Sequence, residues 1–195
     1  MPGLPGLERV AARGALTRRI AAAALTCLTL VLGDGGTALA AADGIETAGD
    51  ILQYVLPAVT AGALIGHRDV EGTRQFGESY AVALGTTYAL KIAVDETRPN
   101  GGHYSFPSGH TSSSFSCAEF LRGRYGWRYG VPAYLAAAFV GYSRVESDNH
   151  YAHDVLAGAA IGVISSAIFT TPYRGWQVAL RGGHAALGVS LNRAW

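Results

Sequence analysis

Charged side chains are scarce in this chain of 195 residues. Asp, Glu, Lys and Arg together make up 15% of it, while hydrophobic residues make up 49%. An intrinsically disordered chain needs the opposite balance, so that class is excluded. The 15 basic residues are matched by 14 acidic ones, which leaves a net charge of +1. Because nucleic-acid binding relies on a clustered cationic surface, no nucleic-acid partner is expected.

Cysteine is scarce as well. The chain has only Cys27 and Cys117, and no Cys/His spacing of the zinc type occurs. No zinc site of that type is predicted, and no cofactor is expected. Cys27 lies in a predicted leader, so the mature protein would keep Cys117 alone and form no intramolecular disulfide. We expect Cys117 to be a small buried core residue.

The first 40 residues are typical of a secretory signal peptide. Four arginines precede a 13-residue apolar segment at 20–32, which is short for a membrane span. Thr37-Ala38-Leu39-Ala40 then offers a small-x-small cleavage pattern, with the cut expected after Ala40. An uncleaved transmembrane helix is the alternative, but the Gly-Asp-Gly-Gly sequence at 33–36 argues against it.

The rest of the chain is predicted to be mainly helical. Five apolar segments, at 51–66, 80–94, 110–121, 131–142 and 150–169, are separated by polar, Gly-rich or Pro-rich stretches at 67–77, 98–109, 122–130 and 143–149. The predicted fold is an all-α bundle of about five core helices over residues 41–175. Residues 176–195 form a separate tail, for which partial alternation around Gly182-Gly183 suggests a short β-hairpin.

Three polar motifs interrupt the apolar segments. They are Lys91 followed after six residues by Arg98-Pro99, then Pro107-Ser108-Gly109-His110, and last Ser143-Arg144 followed by His150 and Asp154. Together they resemble the three signature motifs of the type 2 phosphatidic acid phosphatase (PAP2) superfamily. That superfamily includes lipid phosphate phosphatases, bacterial non-specific acid phosphatases and vanadium haloperoxidases. The resemblance covers residues 80–169 and implies the helical bundle fold of that superfamily.

The same residues suit a phosphate group on chemical grounds. Lys91, Arg98 and Arg144 supply three cations, and the arginine guanidinium matches phosphate oxygens well. Ser108 can add a hydroxyl, and the backbone N–H of Gly109 can approach closely because glycine has no Cβ. The N-terminus of the following helix adds exposed amides and the positive end of its dipole. The predicted phosphate-binding residues are therefore Lys91, Arg98, Ser108, Gly109 and Arg144.

The predicted catalytic residues are His150, His110 and Asp154. His150 and Asp154 are four residues apart and share a helix face, so Asp154 can accept the proton of one ring nitrogen and leave the other free. The resemblance implies that His150 is the nucleophile, which forms a phosphohistidine, and that His110 is the general acid. It also implies that no metal is needed. His153 is expected to point to a different side of the helix from Asp154.

The predicted function is a metal-independent phosphatase that hydrolyses phosphate monoesters, with a lipid or isoprenoid phosphate as the favoured substrate. A non-specific soluble periplasmic acid phosphatase or phosphotransferase is the first alternative. A vanadium-dependent haloperoxidase, which shares the anion pocket, is the second, and a non-enzymatic anion-binding bundle is the third.

The order of the segments places all three motifs on one side of a bilayer. The other side would carry Arg122, Arg124 and Arg128, while the motif side carries the acidic residues Asp43, Glu46 and Asp50. The positive-inside rule then puts the site on the periplasmic side of a bacterial envelope. Four of the segments have only 12–16 residues, short of the roughly 20 needed to span. Membrane embedding or association is favoured, and a soluble periplasmic bundle remains the alternative. The oligomeric state is not predicted.

Overall fold

The computed structural model describes the backbone of residues 38–173, 175–183 and 186–194, and the side chains of residues 43–173. The chain divides into two compact units, Met1–Gly44 and Ile45–Trp195. The helix packing and the site described below belong to the second unit. Most of the predicted signal peptide lies outside the described residues, so the leader, its cleavage and the domain boundaries stay predictions.

The described residues contain five α-helices: α1 (Ala38–His67), α2 (Val70–Val94), α3 (Gly109–Tyr125), α4 (Trp127–Glu146) and α5 (Ala152–Phe169). Helix α3 is the central element, because it packs against α2, α4 and α5. Each predicted apolar segment lies within one of these helices, apart from the first two residues of the last segment. The prediction of an all-α bundle is therefore confirmed.

The predicted breaks between helices were too wide. Only residues 68–69 separate α1 from α2, and Gly126 alone separates α3 from α4. Charged residues that suggested a loop instead lie on an exposed helical face, where Arg74 pairs with Glu71 and Glu78 at 2.6 Å each. Asp69 caps the start of α2, since its Oδ1 accepts the backbone N–H of Gly72 at 2.8 Å.

Small polar residues fill the interior of the bundle. Ser112, Ser113, Ser114 and Ser116 are all buried along α3, and Cys117 is buried beside them as expected. Large apolar residues lie on both sides: Phe120, Leu121 and Val140 are fully buried or nearly so, whereas Leu135, Leu156 and Ile168 face outward and expose 67%, 70% and 70% of their surface. A water-soluble bundle turns its apolar stripe mainly toward the core.

The contact between α3 and α5 depends on glycine. A Cβ added at Gly162 would meet the carbonyl oxygen of Ser112 and would lie 2.7 Å from the backbone nitrogen of Ser116. Helices can approach this closely only where side chains are absent or very small. The small residues on both helices thus bring the first turn of α5 beside the first turn of α3.

A buried ion pair joins the α1–α2 link to the end of α3. Arg124 donates to Asp69 through Nη2 at 2.6 Å and through Nε at 2.7 Å. Tyr125 adds a hydrogen bond to the same carboxylate at 2.9 Å. Burial tends to raise the pKa of Asp69, but these bonds hold it below its ordinary value. The network fixes the end of α3 that is remote from His110.

The C-terminal residues form an antiparallel pair of strands, β1 (Gly175–Gly183) and β2 (Ala186–Ala194). Gly183 pairs with Ala186, and Gly175 pairs with Ala194 at the other end. Gly182 pairs with Leu187, so Gly182 and Gly183 lie within the ladder and not at the turn where the sequence placed them. Residues 184–185 lie outside the described residues.

Candidate active site

One end of the bundle gathers the three motifs. The last turns of α2 and α4 carry Lys91 and Arg144, while the first turns of α3 and α5 carry His110 and Asp154. Because successive helices run in alternating directions, these four ends meet. The first turns of α1 join them, since Arg144 Nη2 donates to the backbone carbonyl of Glu46 at 2.8 Å.

A polar cavity of about 310 Å³ lies at this end. Its wall combines two cations, two histidines and two carboxylates: Arg98, Arg144, His110, His150, Glu46 and Asp50, with Tyr54 and Asn149 completing it. The two predicted catalytic histidines therefore converge on one hollow. Two of the three predicted phosphate-binding cations line the same hollow.

A larger cavity of about 510 Å³ adjoins the first and shares Tyr54, Arg98, His110 and His150 with it. Its other lining residues are mostly aromatic or apolar: Tyr80, Leu84, Tyr88, Ile92 and Tyr104, together with Gln53, Lys91, Gly109 and Ser113. The site is thus a polar hollow beside an apolar groove. Such an arrangement matches a ligand with one anionic end and one apolar end.

His150 is buried and held from behind. Its Nδ1 lies 3.4 Å from Asp154 Oδ2 and 3.4 Å from the Ser105 hydroxyl. Ser105 also donates to Asp154 Oδ2 at 2.5 Å. Because Nδ1 faces Asp154 and Ser105, Nε2 is the ring nitrogen that remains available to contact a ligand. Burial, with the charges of Lys91 and Arg98, lowers the pKa of His150 to about 4, so the ring is neutral at neutral pH.

His110 faces an acid and two guanidinium groups. Its Nε2 lies 3.2 Å from Asp50 Oδ1, and the same oxygen accepts from Arg144 Nη1 at 2.7 Å. Burial and then the charge of Arg144 hold the pKa of His110 below its ordinary value, while Asp50 opposes that shift. A bound phosphate dianion would act in the same direction as Asp50 and favour the protonated ring.

Lys91 is anchored at the border of the two cavities. Its Nζ donates to the carbonyl oxygen of Tyr104 at 2.6 Å and lies 3.3 Å from that of Ser105. Burial, with the neighbouring charge of Arg98, lowers its pKa to about 8. The ammonium group therefore remains mostly charged at neutral pH and is held in place by backbone carbonyls.

Ser108 and Gly109 are placed differently from each other. Gly109 is the first residue of α3 and lines the larger cavity. Ser108 is the N-cap residue, is fully buried, and accepts the Thr111 hydroxyl at 3.0 Å. Neither described cavity includes Ser108 in its lining. Its hydroxyl is therefore committed to capping, and a direct bond from it to phosphate stays a prediction.

The sequence did not identify the residues that α1 contributes. Asp50 and Glu46 are one turn apart on α1, and Glu46 accepts from Asn149 at 2.6 Å. Gly49 makes this approach possible, because a Cβ there would meet Ser143 Oγ and lie 2.8 Å from Arg144 Nη2. The signal available in the sequence was a pair of acidic residues, Glu46 and Asp50, in an otherwise apolar helix.

His153 was also misjudged. Its ring was expected to point away from Asp154, but Nε2 lies 3.2 Å from Asp154 Oδ1. The ring stacks on Tyr151 at a centroid distance of 5.4 Å. At the first turn of a helix, a long side chain can fold back toward the N-terminus, and helical spacing alone does not exclude such a contact.

Comparisons with known proteins identify the family of this chain. A sequence model of the PAP2 superfamily matches residues 72–177, which is more than half of the chain. A lipid A 1-phosphatase of Porphyromonas gingivalis is 41% identical over 88 residues, 43% of this chain and 20% of that protein. A lipid A 4'-phosphatase of Helicobacter pylori is 29% identical over 142 residues, covering 67% of this chain and 71% of that protein. The chain thus spans only a fifth of the first relative.

Two solved structures share the fold. The crystal structure of Aquifex aeolicus LpxE superposes with a TM-score of 0.56 at 23% identity, covering 74% of this chain and 92% of that one. The transmembrane PAP2-type phosphatidylglycerolphosphate phosphatase of Bacillus subtilis gives 0.53 at 22% identity, covering 81% and 84%. Together with the family match and the three complete motifs, these similarities show that the chain belongs to the PAP2 superfamily.

Proposed function

We propose that this protein is a phosphatase that hydrolyses lipid phosphate monoesters through a phosphohistidine on His150. The observation that carries the proposal is the convergence of His110 and His150 on one cavity with Arg98 and Arg144. A nucleophile, a proton donor and fixed cations around one hollow are the groups that phosphoryl transfer requires.

The first step is attack by His150 Nε2 on phosphorus. A nitrogen–phosphorus bond forms while the bond from phosphorus to the ester oxygen breaks. His110 gives its proton to that leaving oxygen. Asp154 and Ser105 keep the ring of His150 in the required tautomer and orientation.

The second step is hydrolysis of the intermediate. His110, now neutral, accepts a proton from water while the water oxygen attacks phosphorus, and His150 is released as the neutral ring. Lys91, Arg98 and Arg144 would bind the phosphoryl oxygens in both steps, and their fixed positive charge would stabilise the transition state. Each of these side chains lines one or both of the adjoining cavities.

The apolar groove supports a lipid as the leaving group. It opens from the polar hollow between α1 and α2, and Leu84, Tyr88 and Ile92 lie along it. The relatives named above include two lipid A phosphatases. We infer that an acyl or isoprenoid chain lies along this groove while the phosphate group lies in the polar hollow.

The outer surface supports a membrane location. Two described helical segments, Asp43–His67 and Ala152–Phe169, are long and apolar enough to cross a bilayer. The outward-facing apolar residues of α4 and α5 would contact lipid in such an arrangement. With the predicted export signal and the acidic residues at the motif end, we propose that the site faces the periplasm.

Phosphate release from the detergent-solubilised protein tests the proposal. We expect turnover of lipid phosphates in the presence of EDTA, with weaker turnover of a soluble ester such as p-nitrophenyl phosphate. His150→Ala should abolish turnover, and His110→Ala should lower kcat by about 10²- to 10⁴-fold. His103→Ala is the matched control, because His103 is exposed, lines neither described cavity and has its ion-pair contact with Asp95 at 3.4 Å. Undiminished turnover by His150→Ala would contradict the proposed nucleophile.

A further inference from the structure

A second cluster of ligating side chains lies behind His150. Glu96, from the segment between α2 and α3, meets His153 and Asp154 from the first turn of α5. His153 Nε2 lies 3.0 Å from Glu96 Oε1 and 3.2 Å from Asp154 Oδ1. All three donor atoms lie within 4.8 Å of one another. None of the three residues lines either described cavity, so the cluster lies behind the phosphate site, to which Asp154 connects it through His150.

One oxygen of the cluster lacks a donor. Asp154 is completely buried, and its Oδ2 accepts from Ser105 and from the backbone N–H of Tyr151. Its Oδ1 is equally buried, yet it accepts no hydrogen bond from the described residues. His153 Nε2 lies nearer to Glu96 Oε1, at 3.0 Å, than to Asp154 Oδ1, at 3.2 Å. Because buried carboxylate oxygens are normally paired, Oδ1 has the property expected of an unfilled ligand.

The spacing of the donors matches a small cation. Zinc binds imidazole nitrogen and carboxylate oxygen at about 2.0–2.2 Å, so neighbouring ligands of a tetrahedral ion lie about 3.4 Å apart. The two nitrogen–oxygen separations in the cluster are 3.0 and 3.2 Å. Both nitrogen–oxygen separations are within a few tenths of an ångström of that value, and the two carboxylate oxygens lie within 4.8 Å of each other.

We propose that Glu96, His153 and Asp154 bind a divalent cation of the zinc type. The imidazole ligand favours Zn²⁺ over Mg²⁺, which prefers oxygen ligands and holds its water tightly. The His153 side chain is 57% exposed and that of Glu96 is 30% exposed, so an ion can enter from solvent. Three protein ligands leave a fourth position for water.

The ion would inhibit the phosphatase, an effect that rests on the proposed function. It would bind Asp154 through Oδ1, while Oδ2 of the same carboxylate faces His150 Nδ1. The carboxylate charge that orients His150 would then be shared with a dication. Bound zinc therefore acts here as a regulator rather than as a catalytic group, and turnover in EDTA does not depend on it.

Zinc binding can be measured without any turnover. Isothermal titration of the full chain with Zn²⁺ alone should show one site, and Co²⁺ in place of Zn²⁺ should give the visible absorption bands of a low-coordinate site. Glu96→Gln and His153→Ala should each weaken Zn²⁺ binding by at least about tenfold. His103→Ala, which removes an exposed histidine paired with Asp95, is the matched control and should bind Zn²⁺ like the wild type. Equal affinity in all four proteins would overturn the site.

Phosphate release gives the second readout. In EDTA, Glu96→Gln and His153→Ala should turn over like the wild type, because neither side chain lines a cavity. Added Zn²⁺ should inhibit the wild type and His103→Ala but spare the two site variants. Zinc bound at full occupancy without loss of turnover would contradict the inhibitory role. Failure of the proposed phosphatase activity would leave the titration result intact, so the two proposals can fail separately.

Discussion

Replacing Asp50 with Asn should tighten the binding of inorganic phosphate or vanadate. Asp50 Oδ1 accepts from Arg144 Nη1 at 2.7 Å and lies 3.2 Å from His110 Nε2. A carboxylate oxygen thus occupies the place where we expect a phosphoryl oxygen to bind. An incoming anion must displace it, and the cost of displacement reduces the apparent affinity.

The size of the effect follows from the exposure of the carboxylate. The Asp50 side chain is 46% exposed, so water screens its ion pair with Arg144. The free energy of such an exposed pair is about 1 kcal/mol, which is the cost of displacing Asp50 from Arg144. Since about 1.4 kcal/mol corresponds to a tenfold change in affinity, Asp50→Asn should bind the anion about fivefold more tightly. Competition between vanadate and a lipid phosphate substrate would measure this change.

The same variant should change the pH profile. His110 faces Asp50 from α1, Arg144 from α4, Arg98 from the α2–α3 segment and His150, all around one cavity. Burial and Arg144 lower the pKa of His110, and Asp50 raises it, so Asp50→Asn lowers it further. As the general acid must be protonated, the alkaline limb of kcat/KM should move to lower pH.

The matched control is Asp43→Asn. Asp43 is an exposed acidic residue two turns earlier on α1 and does not line the cavity, so this change removes the same charge from the same helix. It should leave both the anion affinity and the alkaline limb unchanged. An Asp50→Asn protein with unchanged or weaker anion binding, or with an unmoved alkaline limb, would refute the role assigned to this carboxylate.

Two further changes test the packing that supports the site. Asp69→Ala should lower the free energy of unfolding by about 3–5 kcal/mol, because it leaves the charge of Arg124 buried without its partner; a loss below 1 kcal/mol in denaturant unfolding would contradict this. Gly49→Ala should raise KM and cost about 1–3 kcal/mol of stability, since the new methyl group would collide at Arg144. Gly62→Ala in the same helix is the control, because a Cβ at Gly62 has no atom within 4 Å, and this change should be neutral or stabilising. Equal effects of the two alanine substitutions on stability and KM would refute the packing argument.

The sequence predicted the helices well because their apolar segments are long. It failed at the helix ends, where local signals conflict. Residues 67–77 contain polar and glycine residues that favour a loop, yet ion pairs on an exposed face and the Asp69 cap allow α2 to begin at Val70. Side-chain pairs and the cap within the first turns of α2 thus outweighed the loop preference of the individual residues.

The motif residues could be predicted because their types and order resemble the PAP2 signatures. His150 and Asp154 were expected to share a helix face, but His150 precedes α5, which begins at Ala152, and its Nδ1 lies 3.4 Å from Asp154 Oδ2 from the preceding segment. Asp50 is 94 residues from Arg144 in sequence, and no local pattern connects them. Ser105 is 49 residues from Asp154 and was missed for the same reason. Such long-range partners become visible only when the bundle is assembled.

The structure of the protein with bound orthovanadate tests the central claim most directly. We predict that vanadium lies in the polar hollow, bonded to His150 Nε2, with His110 on the opposite side and with its oxygens contacting Lys91, Arg98 and Arg144. Asp50 should have turned away from Arg144. Vanadate bound elsewhere, or bound in the hollow without a bond to His150, would contradict the account.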